Sequence, residues 1–271
     1  MLPVREAETT VVRGVTVRKG PAREACFRVV SENSNLVVRA DPSLPPGTDL
    51  CEVNRRNKIH THMHNEMQSI EIAAQCLVDF PEAPWDLRMD LARQCWDESR
   101  HARVLYRRLK EIGGRKGEFP VMHFEWSMAC MQDSLAARLA IQNRVIEGGE
   151  MDILRQQAQQ WRDEGDTETA EVVEGILSDE IHHVRFANRW LKKITAEDPA
   201  IALRVAKGIA FMKEVIAAYA PAPGDTNYSG AAIEQTLLVS PTNVEDRRLA
   251  EFTDREIADL VRRDGASTSA K

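Results

Sequence analysis

The sequence is short of tyrosine, of paired cysteines, of long apolar runs and of positive charge, and each shortage removes a class of function. The five cysteines (Cys26, Cys51, Cys76, Cys95 and Cys130) are odd in number and widely spaced, with no C-x-x-C pair. They predict neither a disulfide framework nor a cysteine metal site, and they read as thiols kept reduced in a cytoplasm. No stretch approaches the roughly 20 apolar residues that span a bilayer. Met1 to Thr10 lacks the apolar core of a signal peptide. A cytoplasmic protein without a membrane partner is therefore expected. The net charge of −6 advertises no basic surface, which argues against nucleic acid as a partner. Gly113-Gly-Arg-Lys-Gly117 lacks the P-loop spacing and reads as a helix stop, not a phosphate cradle.

What remains is ample for a buried core: 271 residues, 43% hydrophobic and 29% charged, as in ordinary soluble proteins. Residues 1–54 read as an extended arm, with Val- and Thr-rich stretches at Val11 to Arg18 and Phe27 to Val38 that suit a short hairpin. Pro42, Pro45, Pro46 and Gly47 mark a loop. The pattern then turns helical. One helix is predicted from Arg55 to Phe80, broken by Pro81 and Pro84, and a second from Trp85 to Ile112. A third covers Gln132 to Glu147, is disturbed at Gly148-Gly149 and resumes to Trp161. A fourth runs on to Ile194 and a fifth from Pro199 to Tyr219. Residues 220–250 look loop-like. Thr253 and Glu256 have capping-box spacing before a short last helix, and Gly265 to Lys271 reads as a frayed tail. The expected fold class is all-α: a four-helix bundle over 55–195, with C-terminal helices over 196–271 packed on it.

One short pattern occurs twice. Asp97-Glu-Ser-Arg-His-Ala-Arg103 and Asp179-Glu-Ile-His-His-Val-Arg185 both read D-E-x-x-H-x-R. On a helix, residues i and i+3 share a face, so Glu98 with His101, and Glu180 with His183, can each grip one ion. A lone E-x-x-H is weak evidence. Here Glu98 falls inside the apolar stripe Leu87, Leu91, Cys95, Ala102, Leu105 and Leu109. Glu180 completes the stripe Val173, Ile176, Val184, Ala187 and Leu191. Desolvating a lone carboxylate costs several kcal/mol or forces it neutral. Two such positions call for compensating positive charge. A metal pair supplies it; the alternative is a salt-bridge network through Arg100, Arg103 or Arg185.

A four-helix di-metal site takes one Glu from each of two helices and Glu-x-x-His from each of the others. Glu66 lies 16 residues before the first turn near residue 82, and Glu98 lies 16 after it. At about 1.5 Å rise per residue the two stand level. Glu147 and Glu180 are likewise level about the second turn near Asp163-Glu164. The predicted metal set is Glu66, Glu98, His101, Glu147, Glu180 and His183. Glu71 competes with Glu66. At about 100° per residue it lies about 140° away, at the edge of the face formed by Met63, Ile70, Ala73, Ala74 and Leu77. Glu66 is favoured, and Glu71 stays open as an outer partner or a ligand that moves in. The link over residues 113–131 is too long for a tight turn. A third helix starting at once would carry Glu147 past the site by roughly 18 Å. One long crossover along the bundle restores the level.

This pattern resembles the ferritin-like di-iron carboxylate superfamily. Within it, His64-Asn-Glu-Met-Gln-Ser-Ile-Glu71 and the two D-E-x-x-H segments resemble a little-characterised bacterial family of ferritin-like proteins. That family is similar to tRNA-hydroxylating and quinone-hydroxylating di-iron monooxygenases. The resemblance covers about residues 55–195, and more weakly Phe252 to Val261. It implies that Asp97 and Asp179 each reach the histidine of the opposite helix, as histidine ligands commonly donate their second N–H to an acceptor.

Four carboxylates and two imidazoles suit Fe or Mn, as two Fe ions, two Mn ions or a mixed pair. The four carboxylates offset the charge of two M(II) ions. The expected function is an O2-activating oxidase or monooxygenase acting on a small organic metabolite. As a monooxygenase it needs an electron donor, and a homodimer is compatible with the sequence. The alternatives are an iron-binding ferroxidase, a tRNA-modifying hydroxylase and a dimanganese catalase. Tyr106 lies more than one turn past His101 and off the ligand face, which argues against a radical-storing ribonucleotide reductase subunit. Trp96, Trp126, Trp161 and Trp190 read as packing residues. In the H-x-H-x-H run, His60, His62 and His64 fan over different helix faces. His62, one turn before Glu66, is the one placed to reach the metals.

Overall fold

A proline ring cannot continue a helix through the carbonyl four residues back, and Pro81 and Pro84 fall between two apolar-striped segments. In the computed structural model of the protein, which describes residues 7–12, 14–29, 50–219 and 241–268, they separate α1 (Leu50–Asp79) from α2 (Trp85–Glu111). A second hairpin joins α5 (Gly148–Asp163) to α6 (Thr167–Glu197). Its turn uses Gly165 at φ +81°. Asp166 caps α6, its carboxylate accepting from the Thr169 backbone N–H at 3.0 Å. The fold is mostly helical, as expected. Among the described residues the one sheet is an antiparallel hairpin of β1 (Thr9–Val12) and β2 (Val15–Arg18).

α1 packs along α2, and α5 along α6, and the pairs face each other across α2 and α6. Two apolar clusters fill the interior. One holds Ile59, Met63, Leu105, Leu109, Leu154 and Ile176. The other holds Ala73, Leu87, Leu91, Leu139 and Leu191. Glu66, Glu98, Glu147 and Glu180 lie between them in sequence on their helices, so the acidic residues interrupt a hydrophobic core at one level. A third cluster, with Met128, Ile141 and Val215, joins the hairpin to α3 (Phe124–Ala129) and α7 (Ala200–Tyr219).

The third long segment differs from its prediction. Leu135–Leu139 (α4) is α-helical, Ala140–Glu147 is a π-helix, and α5 continues from Gly148 without a break. The disturbance lies before the glycines. π-turns tend to occur at functional sites because the widened turn re-aims its side chains. The helix Val244–Leu249 was not expected within the loop-like stretch. It anchors the π segment: buried Arg247 donates to the Gly148 carbonyl at 2.7 Å and to Asp152 at 2.6 Å. The last helix, Asp254–Thr268, runs into the predicted tail. It begins with the predicted capping box: the Thr253 N–H donates to Glu256 at 2.8 Å, and the Glu256 N–H to Thr253 Oγ1 at 3.3 Å. Residues 1–6, 13, 30–49, 220–240 and 269–271 lie outside the described residues, and with them half of the predicted arm and part of the predicted loop. Trp96, expected in packing, is 64% exposed.

Candidate metal centre

All six predicted ligands converge. Glu66, Glu98, Glu147, Glu180, His101 and His183 are each no more than 3% exposed. They form two overlapping groups. Glu66, Glu98, His101 and Glu180 offer donor atoms within 4.8 Å of one another, and so do Glu98, Glu147, Glu180 and His183. Glu98 and Glu180 belong to both groups. His101 Nδ1 lies 3.0 Å from Glu98, 3.3 Å from Glu66 and 3.5 Å from Glu180. His183 Nδ1 lies 3.4 Å from Glu98 and 3.3 Å from Glu180. With metal–ligand bonds of about 2.0–2.2 Å, neighbouring donors around one ion stand about 2.8–3.6 Å apart. The donor set and its spacing therefore fit a metal pair held by two shared carboxylates.

The outer partners fix the imidazoles. His101 Nε2 meets Asp179 Oδ2 at 3.0 Å, and His183 Nε2 meets Asp97 Oδ2 at 3.3 Å. Each Asp thus reaches the histidine of the opposite helix and leaves Nδ1 turned inward. Arg100 joins the two acids, donating to Asp97 at 2.7 Å and Asp179 at 2.8 Å. Among the described residues no Arg or Lys pairs with Glu66, Glu98, Glu147 or Glu180, so the arginine network does not neutralise them.

Glu66 and Glu71 separate clearly. Glu71 is clamped by Arg23 through two hydrogen bonds of 2.6 and 2.8 Å, and Arg23 also donates to His64 Nε2 at 3.1 Å. Glu71 therefore serves the N-terminal arm and is no outer partner of the cluster. The H-x-H-x-H residues fan out as expected. His60 Nε2 accepts from the Gly117 N–H at 3.0 Å, and His62 Nε2 lies 2.7 Å from Glu66 Oε1. Burial lowers His60 to about 4, and burial with the Arg23 charge lowers His64 to about 2. Both are neutral packing groups.

Sequence reasoning missed four polar partners. Gln94 Nε2 donates to Glu147 at 2.6 Å and Glu98 at 3.2 Å, and its carbonyl accepts from Asn143 at 3.0 Å. Asn143 also donates to Glu147 at 2.9 Å. Both amides sit four residues before a glutamate they serve, which is a readable signal. Glu150 and Glu125 are further acids near the cluster. Glu150 follows Glu147 by three, where the other motif helices carry histidine. Glu125 is buried, and burial, then the charges of Glu150 and Glu66, raise its carboxyl well above the usual range.

The electrostatics suit a cluster that could hold cations. Burial, then the Glu180 charge, raises Glu98 well above a normal carboxyl and takes Glu147 to about 8. Burial alone would also raise Glu66, but the neighbouring imidazoles of His101 and His62 outweigh it and lower it. Burial opposes a charge on His101, yet Glu66 and Glu98 push it up to about 12. In the metal-free protein, protons balance the carboxylates. Metal ions would take the place of those protons, because ligands bind deprotonated.

No helix among the described residues is long and apolar enough to cross a membrane. A family described as "Protein of unknown function (DUF455)" matches residues 4–258. No curated protein matches the chain.

Proposed function

The chain belongs to the DUF455 family, and we propose that this member is an O2-activating non-haem di-iron oxidase or monooxygenase acting on a small organic metabolite. One observation carries the reading: two four-donor groups that share Glu98 and Glu180 inside an apolar core. Hard and borderline donors of this kind suit Fe or Mn. The finer description of the fold, a ferritin-like four-helix bundle with one long crossover, belongs to the same reading. Its support is the two helical hairpins and the long link between them.

Each residue has a task in this reading. Glu66 and His101 would hold one ion and Glu147 and His183 the other, with Glu98 and Glu180, which belong to both groups, available to each. A bound di-iron pair supplies the reduction of O2 and the oxidation of a C–H or N–H bond. Asp179 and Asp97 hold the proton on the outer imidazole nitrogens, leaving each Nδ1 lone pair inward. Gln94 and Asn143 fix the Glu147 carboxylate. The apolar side chains above and below exclude water and strengthen every charge interaction between them. A monooxygenase outcome would require an external electron donor.

The test is anaerobic Fe(II) loading followed by exposure to O2, with metal analysis and visible absorbance. The reading expects at least two metals per chain and a new absorbance band after O2. Fewer than two metals per chain, or full loading of a Glu98→Ala/Glu180→Ala variant, would sink it. Strong salt-dependent tRNA binding would redirect it to RNA modification.

A further inference from the structure

Glu66 presents its two carboxylate oxygens to different neighbours. Oε2 faces His101 Nδ1 at 3.3 Å, in the paired centre. Oε1 faces away, towards His62 Nε2 at 2.7 Å, and Glu150 Oε1 lies 3.4 Å from the same nitrogen. His62, Glu66 and Glu150 offer donor atoms within 4.8 Å of one another. Although they are close, His62 Nε2 and Glu66 Oε1 make no hydrogen bond: both atoms are buried and without a hydrogen-bond partner. At 2.7 Å the distance suffices, so it is the direction of the contact that fails. The ring nitrogen and the Glu66 oxygen are left for a third party. Leaving buried polar atoms unmade costs about 1–3 kcal/mol each, unless something occupies the space between them.

We propose that His62, Glu66 and Glu150 form a third cation site, for a divalent transition-metal ion, that shares Glu66 with the paired centre. The proposal rests on the paired centre for its shared carboxylate, but its own donors are separate. The 3.4 Å separation lies within the spacing of neighbouring ligands on one ion, and the 2.7 Å separation at its short edge. Charge points the same way. Two divalent ions offset Glu66, Glu98, Glu147 and Glu180, leaving Glu150, beside the His62 imidazole, and the buried Glu125. A third divalent ion offsets both. The chain carries a sequence trace of this: Glu147-Gly-Gly-Glu150 repeats the i, i+3 spacing of the two E-x-x-H motifs, with Glu in the histidine position. An imidazole with two carboxylates is a donor set for Fe, Mn or Zn, and not for Mg or Ca alone.

The test uses the full-length chain and Mn(II). Crystals soaked in Mn(II) give an anomalous difference map, and metal analysis gives the stoichiometry in solution. The proposal expects a third peak between His62 Nε2 and Glu150, and a fall from about three ions per chain to about two in both Glu150→Gln and His62→Gln. The two paired peaks should survive in these variants. Two ions per chain in the wild type, with no density at His62, overturns the third site and leaves the pair standing. A peak at His62 without the paired peaks overturns the pair instead. No bound Mn(II) anywhere overturns both. A third peak that persists in both variants belongs to other donors and overturns the assignment. If a variant does not fold, as judged by circular dichroism, the wild-type map decides alone.

Discussion

The Asp179 carboxylate lies 3.0 Å from Nε2 of His101, which stands on the other helical hairpin. The residue just before one shared glutamate thus orients the histidine of the facing motif, and Asp97 does the same for His183 at 3.3 Å. The D-E-x-x-H repeat is therefore one device split between two helices. Its Glu and His serve their own helix's face, while its Asp serves the partner helix.

It follows that Asp179→Ala should weaken metal binding without removing a ligand. Loss of such an outer partner typically lowers metal affinity about 10–100-fold. Titration with Mn(II) should show one weakened ion while the other, on His183, holds close to its wild-type affinity. Unchanged affinity for both would show that the contact does not orient the ring.

Asp79 should be costly to remove. It accepts from Arg138 at 2.5 Å and Arg18 at 2.8 Å, and the Arg138 side chain is 0% exposed. Asp79→Ala leaves a buried guanidinium without its counter-charge, a loss of about 3–5 kcal/mol. Urea unfolding should show Asp79→Leu/Arg138→Met to be less destabilised than Asp79→Ala, because the double change removes both charges.

Asp166 should contribute an acid-labile part of the stability. Burial would raise its carboxyl, but the Thr169 N–H and hydroxyl, then Arg55 and Arg108, outweigh it and lower it to about 2. The folded-state value lies below the unfolded value of about 4, so the contribution is complete above pH ~4. It disappears as the pH falls from ~4 to ~2. Asp166→Asn keeps the helix cap and loses the ion pairs, so its stability deficit should be present at pH 7 and vanish near pH 2. A deficit that grows on acidification would contradict this.

Two glycines should differ in their tolerance of alanine. Gly117 has φ +71°, and a Cβ there would lie 2.0 Å from the Cys26 carbonyl oxygen. Gly165 has φ +81° with nothing within 4 Å. Gly165→Ala therefore costs only backbone strain, about 1–2 kcal/mol. Gly117→Ala adds a clash with main chain that must move, and it also disturbs the N–H that donates to His60. Thermal melts should rank Gly117→Ala well below Gly165→Ala.

Much of this protein was legible without coordinates because it is written in local periodicity. The apolar stripes containing Glu98 and Glu180, the two prolines after α1 and the Thr253–Glu256 box are all patterns within a few residues on one helix, where spacing fixes geometry. Equal spacing about the two turns set Glu66 level with Glu98, and Glu147 level with Glu180. The π segment at Ala140–Glu147 was not legible, since no residue type demands the widened turn. Contacts hold it instead: Arg247 on the Gly148 carbonyl, and Arg144 reaching Asn188 and Glu256.

The sequence by itself determined which side chains face inward and how far apart along each helix they stand. Only the tertiary structure decided which of those side chains meet. Glu66 and Glu71 both sit near the inner face of α1; Glu71 is taken by Arg23 from a distant segment, and Glu66 is left to His101 and His62. Glu150 and Gln94 acquire their roles across helix–helix contacts, from the opposing helix's rotation about its own axis. Helical spacing repeats along one chain segment, but the relative rotation of two helices depends on how whole side-chain surfaces interlock, and no short stretch of sequence contains that information.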